Sequence, residues 1–285
     1  MAKLILSAFA DEYSRSPDEQ ISVLTSLGYT HIEPRFVGGK NVADLTETES
    51  RELRAKLDCA GIKVYSVGSP LGKINLADDF APHLLQAENC FRVANILGAT
   101  RVRMFSFYLP EGKTREECFD GVIARLTALL DLADKYGLTL CHENEARIFG
   151  ESPDDCKRLL DALGGRLRAV FDMGNFVLDS YDPEKAYDLL SNYIDYFHIK
   201  DALYERAIVP AGLGEAKIAE ILTAHLKSGR DALITLEPHL ECFDGLNKLT
   251  ETAFKNPYLF ENEKSAFLAG ADHLSKIVKA IEAAD

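Results

Sequence analysis

Four side chains in this 285-residue chain have the types and positions to do chemistry together: Glu143, Asp172, His198 and Glu237. Each ends a short apolar run, namely LTLCHEN, RAVFDMGN, YFHIKD and ALITLEP, that reads as a buried strand. Three carboxylates and one imidazole form a ligand set for a hard-to-borderline divalent metal ion. Successive members are 29, 26 and 39 residues apart, about one strand, one helix and their loops each. A chain that delivers one ligand per strand–helix unit builds a site on one rim of a barrel. Any one of these residues alone would read as an ion-pair partner; the four together read as a metal centre.

The elements that must position them are punctuated regularly. Gly28, Gly61, Gly98, Gly137, Gly165 and Gly229 each stand at the end of a helix-like segment and before a β-rich run. With the opening KLILSAF and the run YIDYFHIK, eight strands are expected. Helix starts follow the strands: Ser16-Pro17, Ser152-Pro153 and Asp182-Pro183 carry a cap and a proline, and Thr46 with Glu49 and Thr114 with Glu117 make capping boxes. Eight alternating units predict an α/β chain folded as one (β/α)8 TIM barrel over residues 1–285. A doubly wound sheet would show a glycine-rich turn after the first strand, and SAFADEYSRSP has none. The helix FLAGADHLSKIVKAIEAA is an additional C-terminal segment, expected to close the barrel or to sit at a subunit contact.

Period-two alternation tests the ligand set. With Glu237 inward, Thr235 and Leu233 point inward too; with Asp172 goes Val170, and with His198 goes Tyr196. Phe171 and Phe197 then face the helices.

Composition excludes some classes. The net charge of −13 disfavours nucleic acid and anionic membranes as partners. No apolar run is long enough to span a bilayer, and the N-terminus lacks a signal-peptide pattern. Six cysteines, Cys59, Cys90, Cys118, Cys141, Cys156 and Cys242, show no paired spacing, so a reduced, cytoplasmic protein is expected.

The runs CHENE, FDMGN, FHIKDA with the later VPAGLGEA, and TLEPH resemble the xylose isomerase-like TIM-barrel superfamily of sugar isomerases and epimerases. The resemblance covers nearly the whole chain, with the motifs in order. It implies that Glu143, Asp172, His198 and Glu237, on strands five to eight, are the metal ligands. One departure stands out: several ketose epimerases have Asp-x-x-His on strand six, whereas this chain has Asp172-Met173-Gly174-Asn175. Asparagine cannot carry a positive charge or relay a proton, so substrate recognition differs from that type.

The activity implied is a metal-dependent sugar or polyol isomerase or epimerase. It would abstract a proton beside a carbonyl and pass through a metal-stabilised enediolate. Glu237 is expected as base and Glu143 as acid. Arg103, Glu33, Lys200 and Asn175 are expected at the substrate. One Mn2+ is the expected ion, with Mg2+, Co2+ and Zn2+ as alternatives. Two glycine-bearing loops with lysines, Gly38–Asn41 and Ser69–Lys73, read as ordinary turns on the catalytic face and leave substrate phosphorylation open. The rival readings are an inosose-type dehydratase on the same metal site, an apurinic endonuclease and a non-catalytic sugar-binding protein. The resemblance also implies a homodimer or homotetramer.

Overall fold

The computed structural model describes residues 2–241 and 257–284; Cys242 lies outside them. Seven parallel strands form one sheet. In hydrogen-bonding order these are Leu4–Ala8, Ala232–Leu236, Ile194–Ile199, Leu167–Asp172, Thr139–Glu143, Arg101–Met104 and Ser66–Gly68. The first strand therefore pairs with the last, as a closing barrel requires. The gap is filled by the second strand, His31–Ile32, which pairs with Lys63–Val64 just ahead of Ser66–Gly68. The Glu33 N–H donates to the Ala8 carbonyl at 3.2 Å, and the Gly68 N–H to the Pro34 carbonyl at 2.8 Å. The eight expected strands are all present, and the fold is the expected TIM barrel.

The alternation of each strand separates two cores. Inside the barrel, Cys141, Val170, Tyr196 and Leu233 pack together with Ile5 and Tyr65. Outside it, Phe171, Phe197, Ile199, Ile234 and Leu236 join the much larger layer between strands and helices. The assignment of Val170, Tyr196 and Leu233 to the barrel interior holds.

Helix starts follow the caps. Thr46 and Thr114 accept from the Glu49 and Glu117 amides, and both capping boxes are complete. Ser152 and Asp182 also cap with their side chains. Ser16 does not: its side chain makes no cap bond, and Glu19 is taken by the Ser14 hydroxyl. The C-terminal helix Glu263–Ala284 buries Phe267, Ala271, Leu274, Val278 and Ile281, a stripe at helical spacing, in the main core. Gly270 lets it approach, since a Cβ there would lie 2.7 Å from the Pro238 side chain. The five described cysteines are free, four of them buried. No described helix is long and apolar enough to cross a membrane.

Candidate metal centre

The strand register brings the four residues to one end of the barrel. His198 is level with Asp172 on one side and Thr235 on the other. Glu143 is level with Val170, two residues below Asp172, and Glu237 follows the eighth strand, its N–H donating to the Ile199 carbonyl at 3.0 Å. This stagger is what tilted strands produce. One ligand atom from each of Glu143, Asp172, His198 and Glu237 can be chosen so that all lie within 4.8 Å of one another, and all four side chains are buried.

Each candidate ligand is held by identifiable partners. Asp172 caps the short helix Met173–Leu178, its Oδ1 accepting from the Asn175 amide at 2.9 Å. The Asn144 side chain bonds the Asp172 backbone at both N–H and carbonyl, at 3.0 and 2.9 Å. The His198 ring lies between carboxylates, Nδ1 at 2.8 Å from Glu143 Oε1 and 3.4 Å from Glu237 Oε2, and Nε2 at 3.1 Å from Glu33 Oε2. Arg103 Nη1 donates to Glu143 Oε2 at 2.9 Å. Arg35 Nη1 donates to Glu237 Oε1 at 2.8 Å, and the same guanidinium reaches Asp11 and Glu12. His239 stands 3.2 Å from Glu237 Oε1 and binds Glu12 with both its backbone N–H and Nδ1. Its backbone is left-handed, with φ 48°, a conformation costing roughly 1–2 kcal/mol that the two hydrogen bonds to Glu12 offset.

The electrostatics follow from packing so many charges out of water. Burial raises the Glu143 carboxyl, but the charges of His198 and Arg103 outweigh it and hold it at about 2. Glu237 lies well below the usual carboxylate range: burial opposes this, and Lys200, His239 and His198 overcome it. Asp172 goes the other way, pushed up to about 6 by burial despite Lys200 beside it. Burial lowers His198, yet Glu143 and Glu33 bring it well above an ordinary imidazole. Around the centre, the side chains of Asp11, Glu12, Glu33, Glu143, Asp172 and Glu237 face three permanent cations, Arg35, Arg103 and Lys200. The excess of carboxylate, with an imidazole nitrogen among the oxygens, suits a divalent cation.

Above these four residues lies a cavity of about 210 Å3, whose walls include Glu143, Glu237, Arg103, Arg35, Lys73 and His239. Of the four residues expected at the substrate, Arg103 is on this wall. Glu33 lies beneath His198, fully enclosed, and accepts from Tyr196 at 2.7 Å and Thr235 at 2.8 Å. Asn175 spends its amide on the Asn144 carbonyl and on Lys200. The Lys200 ammonium sits 3.0 Å from Asp172 Oδ2 and 3.5 Å from Glu237 Oε2, among the candidate ligands rather than on the wall. The sequence reading missed Arg35, Glu12 and Asn144. Arg35 follows the second strand by three residues, and Asn144 directly follows Glu143; nothing in their spacing marks them. Lys73 comes from the loop after the third strand, which lies on the end of the fourth: Phe105 N–H donates to the Leu71 carbonyl and Phe107 N–H to that of Gly72. Only glycine fits at position 72, where φ is 86° and a Cβ would meet the Phe105 carbonyl.

Comparison with known proteins bears on the fold. No curated protein matches the sequence. Among solved structures, an L-ribulose 3-epimerase superposes with a TM-score of 0.76 at 18% identity, covering 99% of this chain and 96% of its own. An IOLI protein with a bound zinc atom gives 0.74 at 16% identity, with 99% of each chain covered. A xylose isomerase-like TIM-barrel protein from Mycobacterium smegmatis, in complex with magnesium, gives 0.68 at 18% identity and 97% of each. The family model for the xylose isomerase-like TIM barrel matches residues 21–277, and the chain belongs to that family.

Proposed function

We propose that this chain is a divalent-metal-dependent isomerase or epimerase of a sugar or polyol, moving a proton at the carbon beside a carbonyl on a single barrel domain. The observation that carries this reading is the convergence of Glu143, Asp172, His198 and Glu237 within 4.8 Å, beneath a cavity whose walls carry Glu143 and Glu237. A bound ion would polarise a substrate carbonyl and offset the charge of the enediolate. Mn2+ is our assignment for a set of three carboxylates and one imidazole; one structural neighbour is in complex with magnesium and another has a bound zinc atom.

The chain's own residues supply the rest. Glu237 is assigned as the base and Glu143 as the acid, because these two candidate ligands also reach the cavity; Glu143, ionised in the free site, must take up a proton before it can donate one. Arg35 and His239 hold one Glu237 oxygen, and Arg103 holds one of Glu143, so both carboxylates keep a fixed orientation. Lys200 and Asn175 act below the substrate, bracing Asp172. Glu33 acts through His198. We also assign the enzyme to the cytoplasm, as a homodimer or homotetramer acting on small molecules.

The test is turnover of a ketose and inosose panel by metal-loaded protein in deuterated water. The expected product keeps the substrate's mass apart from one solvent deuteron at the carbon beside the carbonyl. A product lighter by one water would assign a dehydratase instead. Glu237→Gln, assayed at saturating metal, should lose about 10²–10⁴-fold in kcat. Undiminished turnover in that variant would sink the acid–base assignment.

A further inference from the structure

One wall of the cavity has features that a neutral sugar does not call for. Arg103 is buried with its guanidinium 4.6 Å from the centre of the Phe105 ring and 5.3 Å from that of Phe9. Its side chain makes one hydrogen bond among the described residues, from Nη1 to Glu143. Among the described residues, Nε is buried with no hydrogen-bond partner. Gly68 makes room for the group: a Cβ there would stand 2.9 Å from Arg103 Nη2 and 2.5 Å from the Phe9 ring. The Lys73 ammonium lies 4.2 Å from the centre of the same Phe105 ring and also lines the cavity. Two cations thus flank one phenyl ring on the wall of the site.

We infer that Arg103 and Lys73 form a receptor for an anionic group, a carboxylate or a phosphate, on the substrate. This rests on the isomerase reading above and names the substrate class within it: an acidic or phosphorylated sugar. A buried cation keeping an unsatisfied donor is costly unless a ligand completes it. Charge-assisted bonds to guanidinium are roughly twice as strong as neutral ones, and its planar donors suit two-oxygen anions. Moreover, the one ion pair of Arg103 among the described residues is with Glu143, itself a candidate ligand, so an ion on Glu143 would compete with Arg103 for that carboxylate. Lys73 contributes less. Its ammonium is shared with Glu145 at 2.9 Å, and that carboxylate, 23% exposed, competes with the incoming anion from a partly solvated position.

A matched triple sharing one skeleton tests this: D-fructose, D-fructuronate and D-fructose 6-phosphate, which differ only at C6. Their binding to the full chain is measured by calorimetry with and without Mg2+. At least one of the two acids should bind about tenfold or more tightly than fructose, a factor in the range of one charge-assisted bond. Which acid it is separates carboxylate from phosphate. The preference should fall most of the way to unity in Arg103→Met and by a smaller factor in Lys73→Met. Because Arg103→Met also removes one partner of Glu143, metal content is determined alongside, and Lys73→Met, which pairs with none of the candidate ligands, provides a second reading. Acids that bind no better than fructose, or not at all at millimolar concentration, overturn the inference. So does a preference that survives in both variants and vanishes with the ion, since the metal would then be the anion's partner. Wild-type protein that takes up no divalent ion yet keeps the acid preference would defeat the isomerase reading and leave this receptor standing.

Discussion

At the scale of single residues, His198 shows how the site is specified from below. Its Nε2 faces Glu33 and its Nδ1 faces Glu143 and Glu237. A carboxylate behind a ligating imidazole fixes which nitrogen carries the proton and how the ring is turned. Glu33 is itself held: Tyr196 donates to one oxygen, Thr235 to the other, and Ser66 hydrogen-bonds the Tyr196 hydroxyl at 2.9 Å. Glu33→Gln should therefore weaken divalent-ion affinity by about 10–100-fold in calorimetry while leaving the melting temperature of the metal-free protein nearly unchanged. An unaltered affinity would reduce Glu33 to barrel filling. The four ligand candidates were legible in the sequence because each closes an apolar run. The depth of Glu33, Asn175 and Lys200 was not. Alternation tells which way a side chain points, but its height along the barrel axis depends on strand stagger, which is a property of neighbouring strands.

At the scale of elements, the segment after the seventh strand shows the same division. The antiparallel pair Asp201–Leu203 and Ala207–Val209 leads into the turn with sequence PAGLGEA. Asp201 gathers that turn: its carboxylate accepts from the amides of Ala202, Gly212, Gly214 and Ala216 at 2.7 to 3.0 Å. The sequence reading set out the strands, the two capping boxes and the C-terminal helix, because those signals lie within a few residues of one another. Here Asp201 binds partners up to fifteen residues ahead, and no local pattern declares that. Asp201→Ala would strip a buried carboxylate from four donors, three of them in the turn, and should cost on the order of 3 kcal/mol in urea unfolding. Amide exchange should quicken at residues 212–216 first. Uniform protection there would mean that the packing of Ala216 and Ile218, not Asp201, holds the turn.

At the scale of the whole molecule, the barrel concentrates charge where it can least be solvated. Six carboxylates crowd around Arg35, Arg103 and Lys200, inside a chain already at −13. The apolar layers on both faces of the sheet must hold this cluster together against its own repulsion, so a divalent ion that binds the folded centre should stabilise the entire fold. At a concentration 100 times its dissociation constant, such an ion adds about 2.7 kcal/mol. For a chain of this size, that corresponds to a rise of about 4–8 °C in Tm. Chelation of protein that carries the ion should lower Tm by the same amount, and re-addition of Mn2+, Mg2+ or Zn2+ should restore it in the order of their affinities. The Asp172→Ala/His198→Ala double variant decides where the ion acts. Glu12, Glu237 and His239 also converge, forming a second group able to hold a cation, and that group shares only Glu237 with the first. If the thermal shift disappears in the double variant, the stabilising ion sits among Glu143, Asp172, His198 and Glu237. A full shift in the variant would move it to the Glu12 and His239 side of the barrel mouth. That position lies among residues already paired with Arg35, where a cation must displace a guanidinium to enter.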